Sequence, residues 1–151
     1  MINRDIKNKI LKRAKEYPIV AIIGPRQSGK TTLVRNIFSK KPYLNMEDAE
    51  IREFAANDPK GFLAQYSSGA IIDEAQKVPA LFSYLQIIVD EKKKNGMFIL
   101  TGSQNFLLME KISQSLAGRV SIFKVLPLSL NEISATKKLG NSVDEYILSK
   151  N

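Results

Sequence analysis

Cysteine and histidine, which carry much of enzyme chemistry, are both missing from this 151-residue chain. Without cysteine there is no disulfide, thiol nucleophile or cysteine zinc site. Without histidine, Ser-His-Asp hydrolysis, histidine-bound metals and histidine general bases are excluded. Carboxylates and lysine are left for proton transfer. The chain has no apolar run long enough to span a bilayer and opens on no signal peptide, so a soluble, cytoplasmic protein without a membrane partner is expected. Repeats, low-complexity tracts and obvious linkers are absent too. With 44% hydrophobic residues, the length suits one domain with a real core.

Acidic charge is scarce in one region only. Residues 1–40 hold ten Lys/Arg against two Asp/Glu, and residues 41–151 hold thirteen of each, so the net charge of +8 belongs to the N-terminal part. Residues 5–16 read as an amphipathic helix with Ile6, Ile10, Leu11 and Ala14 as its apolar stripe. Its basic side chains, from Arg4 to Lys15, then form a solvated face. The sharper alternative is contact with DNA or an acidic protein through Arg4, Lys9 and Lys12.

What the chain does contain is Gly24-Pro25-Arg26-Gln27-Ser28-Gly29-Lys30-Thr31-Thr32, set between the apolar run Ile19–Ile23 and a helical segment. Gly-x-x-x-x-Gly-Lys-Thr in a strand-to-helix turn is the phosphate-binding P-loop, or Walker A motif. Its glycines let the backbone approach a ligand closely, so that loop N–H groups converge on phosphate at the positive end of the helix. Lys30 adds a full charge towards the β and γ phosphates, and Thr31 offers a hydroxyl to Mg²⁺. ATP and Mg²⁺ are the expected cofactors.

The rest alternates strands with helices, which predicts a three-layer α/β sandwich around a mainly parallel sheet. Strands are expected at 19–23, 42–46, 70–74, 97–101 and 120–125. The P-loop helix should run from Gly29 to about Ser39 and bury Leu33, Ile37 and Phe38. Glu47-Asp48 and Asp58-Pro59 each open a short helix, the second with an N-cap followed by proline. Pro79 starts a longer helix that ends in Lys92-Lys93-Lys94 and Asn95-Gly96, where the lysines suit the helix dipole. Another helix is expected over 105–116. Ser129-Leu130-Asn131-Glu132 has capping-box spacing, and a last helix is expected from Val143 to Ser149.

Two further sites follow from the P-loop. Asp73 and Glu74 end an apolar strand, where one acid can reach the Mg²⁺ shell and the other can polarise the attacking water. Ser103, with Gln104 beside it, follows another strand and could sense the γ-phosphate, although Thr-Gly-Ser is also an ordinary turn. Arg119 opens the fifth strand and carries less weight by position alone.

The ordered set GPRQSGKTT, YLNMED, AIIDEAQ, ILTGSQ and SLAGRV…LPLSLNE resembles a prokaryotic branch of the AAA+ ATPases, the ATP-binding proteins with a poorly characterised C-terminal domain. The likeness covers nearly the whole chain. It implies a five-stranded sheet of order 5-1-4-3-2, with Lys30 and Thr31 in Walker A, Asp73 and Glu74 in Walker B and Ser103 as sensor 1. It also implies an arginine finger or sensor role for Arg119 and a homo-oligomeric assembly. Such relatives continue well beyond this length, so residues 1–151 are expected to be the N-terminal ATPase domain of a longer protein.

The leading function is Mg²⁺-dependent ATP hydrolysis coupled to conformational change. The alternative is a nucleotide-gated module that binds protein or nucleic acid with negligible turnover. A small-molecule kinase fits the paired acids and polar turn less well. A GTPase lacks its Asn-Lys-x-Asp motif here.

Overall fold

In a computed structural model, the described residues are 4–25, 28–103, 106–125 and 143–147. The first helix, α1 (Arg4–Glu16), leads into β1 (Ile19–Ile23), followed by α2 (Lys30–Ile37) and β2 (Tyr43–Asn45). Two short helices, α3 (Ala49–Asn57) and α4 (Pro59–Ala64), precede β3 (Ala70–Asp73). After one 3-10 turn at Ala75–Lys77 come α5 (Leu81–Lys92), β4 (Phe98–Gly102), α6 (Phe106–Leu116), β5 (Val120–Val125) and β6 (Val143–Ile147).

The strands form one sheet of order β2-β3-β4-β1-β5-β6. The first five are parallel, and their order is the expected 5-1-4-3-2 read from the opposite edge. The sixth corrects an expectation. Residues 143–147 pair antiparallel with β5, Phe123 opposite Glu145, where a helix was anticipated. Val143, Tyr146 and Ile147 suit either state in so short a segment, and the open edge of β5 supplies the backbone partners that decide it. The helix expected at Ser129–Glu132 lies outside the described residues.

Alternate side chains of each central strand enter two separate apolar layers. Ile19, Ala21, Ile23, Phe98 and Leu100 pack with Leu81, Phe82, Leu85 and Ile112 from α5 and α6. Val20, Ile22, Ile71, Ile99 and Phe123 pack with Ile10, Ala14 and Val34 from α1 and α2. Both faces are covered, so these strands are apolar throughout rather than alternating. Complete burial of a side chain such as Phe82 contributes about 1.5–3 kcal/mol.

Local chemistry sets the helix ends. Asp48 caps α3 by accepting from the Glu50 N–H at 2.9 Å, and Asp58 caps α4 by accepting from the Gly61 N–H at 3.0 Å. Helix α5 begins at Leu81, two residues after Pro79, and ends at Lys92 with Lys93 in the left-handed region (φ 54°). Among the described residues no helix is long and apolar enough to cross a membrane.

Candidate functional site

A parallel sheet gathers the C-terminal ends of its strands along one edge, and the loops beyond them form a crevice there. At this edge β1 delivers Gly24, β3 delivers Asp73 and Glu74, and β4 delivers Thr101 and Ser103. The Gly24 N–H donates to the Gly102 carbonyl at 3.0 Å, which ties the start of the P-loop to the end of β4. A Cβ on Gly24 would stand 2.6 Å from the Val125 carbonyl oxygen, so only glycine fits. Gly29 has φ 86° and open space around its Cβ position, so its requirement is conformational.

Lys30 opens α2 and is only 5% exposed. Its ammonium folds over the loop and donates to the Pro25 carbonyl at 3.3 Å. Thr31, next along α2, donates its hydroxyl to Asp73, 3.2 Å from Oδ2 and 3.4 Å from Oδ1. The structure thus brings together Gly24, Pro25, Ser28, Gly29, Lys30, Thr31 and Asp73. Thr32 is on the same helix and exposed. Arg26, Gln27 and Gln104 lie outside the described residues.

Asp73 is 5% exposed and receives a hydroxyl from each element around β3. Thr31 comes from α2, Thr101 from β4 and Tyr43 from β2. Tyr43 and Thr101 escaped the sequence reading, since each looks like an ordinary strand residue. Burial, then the hydrogen bond to Asp73 and its negative charge, push the Tyr43 phenol upward, so it stays a donor. The Arg35 guanidinium lies over the Tyr43 ring, 4.2 Å from its centroid, a contact worth about 0.5–1 kcal/mol at an exposed site.

Glu74 sits in the left-handed region (φ 58°, ψ 49°), uncommon for a residue with a Cβ. Its N–H donates to Thr101 Oγ1 at 3.1 Å, so one threonine holds the backbone of Glu74 and the carboxylate of Asp73. The Glu74 side chain is 4% exposed. Oε1 is 3.5 Å from the Ser103 hydroxyl, a long approach that sets Ser103 beside Glu74. Oε2 has no hydrogen bond, and neither do the buried Ser28 Oγ and Gln76 Oε1. Gln76 packs over Gly102, whose Cβ would meet Oε1 at 2.6 Å. Buried polar atoms without partners are costly, so three of them around one crevice fit a polar ligand. The hard oxygen donors of Thr31 and Asp73 suit Mg²⁺ in the same way.

Arg119 is not brought to this chain's own P-loop, which counts against a sensor role there; a finger role towards a neighbouring subunit stays an expectation. Its carbonyl accepts from the Ile19 N–H at 3.1 Å, at the start of β1, whereas the P-loop follows the end of that strand. A five-residue strand at about 3.3 Å per residue separates the two by roughly 15 Å. The guanidinium is also engaged, with Nε 2.7 Å and Nη2 2.8 Å from the two Asp90 oxygens.

A family model for the AAA domain matches residues 16–134. The chain belongs to the AAA domain family. The uncharacterized proteins Mb2031c of Mycobacterium bovis and Rv2008c of Mycobacterium tuberculosis are each 34% identical to it over 135 residues, covering 88% of this chain. The AAA domain chain spans only 30% of the length of these relatives. Among solved structures, a Walker-type ATPase of Pyrococcus abyssi superposes with a TM-score of 0.55 at 15% identity, covering 91% of this chain and 58% of the other. A crystal structure of a DNA replication initiation factor superposes with a TM-score of 0.53 at 14% identity, covering 89% and 48% respectively. At such identities these two speak to the fold alone. Family and fold together make this an AAA-type P-loop ATPase core.

Proposed function

We propose that the chain binds ATP with Mg²⁺ and hydrolyses it, with nucleotide state driving a conformational change. The observation that carries this is the buried Glu74 carboxylate, whose Oε2 lacks a hydrogen bond at the strand edge beside the P-loop. Lys30 is positioned to leave the Pro25 carbonyl for the β and γ phosphates. Thr31 and Asp73 would hold Mg²⁺, which neutralises phosphate charge when bound. Glu74 orients the attacking water, and Ser103 beside it reads the γ-phosphate position.

The test replaces Glu74 with Gln, which preserves shape and removes the charge. ATP should bind by calorimetry and persist unhydrolysed in a phosphate-release assay. Wild-type turnover in that variant removes the role of Glu74. Stoichiometric ATP binding by the unmodified chain without turnover would favour the nucleotide-gated binding module instead.

A second reading concerns DNA, and one placement favours it. Asn95 donates to the Lys15 carbonyl at 2.7 Å, which sets Lys92, Lys93 and Lys94 beside the end of α1. With the exposed Lys12 and Lys15 they form a basic corner at the sheet edge opposite the P-loop. Phosphate contacts there predict duplex binding that weakens steeply with added salt. An absence of binding at low salt would leave these lysines as helix-terminal and solvating groups.

A further inference from the structure

Thr31 and Arg35 stand four residues apart on α2 and therefore share a face. Both act on Asp73, one directly and one through Tyr43. Thr31 donates to the carboxylate, while Arg35 lies 4.2 Å above the ring whose hydroxyl donates to Asp73 Oδ2. The P-loop helix is thereby connected to the acidic end of β3 by two routes, and the second runs through the edge strand β2.

The carboxylate itself shows why this matters. An aspartate carboxylate turns about a broad, two-fold χ2, and its two oxygens offer about four lone-pair sites. Thr101 takes Oδ1, Tyr43 takes Oδ2 and Thr31 spans both. Three donors from three elements fix the plane of the carboxylate and leave room for about one more. A water on a metal held by Thr31 would fill that place. Phenylalanine at position 43 would fill the same space and keep the Arg35 stack but leave the carboxylate one donor short.

We propose that Tyr43, braced by Arg35, is a positioning residue that aims the Asp73 carboxylate at the Mg²⁺ of the bound nucleotide. The inference rests on the Mg²⁺–ATP reading above. Tyr43 touches neither phosphate nor metal; it acts only through Asp73. Removal of a group that orients a metal-facing carboxylate commonly weakens metal affinity by roughly ten-fold or more.

The experiment measures ATP affinity by calorimetry in EDTA and across a Mg²⁺ titration, for the unmodified chain, Tyr43→Phe, Arg35→Leu and Asp73→Asn. For Tyr43→Phe, Mg²⁺-free affinity should stay within about two-fold while half-maximal enhancement needs about ten-fold more Mg²⁺. Arg35→Leu should shift the same midpoint by about two- to three-fold, and adding it to Tyr43→Phe should shift it little further. Thermal melting checks that each variant is folded, and if Tyr43→Phe melts early, Arg35→Leu reads the same brace from the helix side. A Mg²⁺ midpoint unchanged in both folded variants, alongside a shifted Asp73→Asn, overturns this inference alone. A midpoint unchanged by every variant, or an unmodified chain whose ATP affinity ignores Mg²⁺, overturns the metal reading with it.

Discussion

The two ends of the parallel strands are built from the same backbone and treated in opposite ways. At the N-terminal end, polar groups close on one another. Arg119 grips Asp90 through two nitrogens, Asn95 holds the Lys15 carbonyl, and the Lys41 ammonium donates to the Met97 carbonyl at 3.1 Å. Burial draws the Lys41 pKa down, yet the group is anchored to backbone oxygens. At the C-terminal end, Ser28, Glu74 and Gln76 each keep a buried oxygen without a partner. Such a group costs about 1–3 kcal/mol, and a folded domain tolerates it where a ligand offsets that cost. One end completes the fold and the other leaves chemistry unfinished.

If that contrast is right, substitutions at the two ends should separate activity from stability. The largest effect should be on turnover. Glu74→Gln is expected to slow phosphate release by about 10²–10⁴-fold while calorimetry finds ATP affinity little changed. Lys30→Ala should come next, with ATP affinity down roughly 100-fold, because no other side chain in the described loop carries a full positive charge. Retained affinity in that variant would detach Lys30 from the phosphates.

Gly24→Ala tests the junction between strand and loop. The new methyl would be driven against the Val125 carbonyl oxygen at 2.6 Å, so a stability loss of about 1–3 kcal/mol should appear on denaturant unfolding. Arg119→Ala should show the smallest effect and sharpen the comparison most. Its pair with Asp90 is partly exposed, so about 1 kcal/mol or less of stability should go. ATP affinity and turnover should stay within about two-fold, because the residue stands at the far end of β1. A strong loss of turnover in this variant would return Arg119 to the catalytic apparatus and erase the division between the two ends.

Legibility differed by region for a physical reason. Local patterns carried most of the fold. The apolar run 19–23, the Asp48 and Asp58 caps and the glycines of the P-loop each state their conformation within a few residues. That Asp73, Glu74 and Ser103 gather beside the loop was legible, because a P-loop dictates what its neighbouring strands must deliver. Tyr43 was not, since nothing in Tyr-Leu-Asn reveals that β2 lies beside β3 in the register that carries a phenol to Asp73.

By itself, the amino-acid sequence determined the phosphate loop, the acids that answer it and the alternation of strands with helices. These follow from backbone sterics, spacing and hydrophobic period, which act over short stretches of chain. Only the tertiary structure decided which side chains from separate segments meet. It set Arg119 on Asp90, Lys92–Lys94 beside α1, Tyr43 on the Asp73 carboxylate and residues 143–147 on the open edge of β5. Each outcome depends on hydrogen bonds between segments distant in the chain, and such partners exist only once the sheet has assembled.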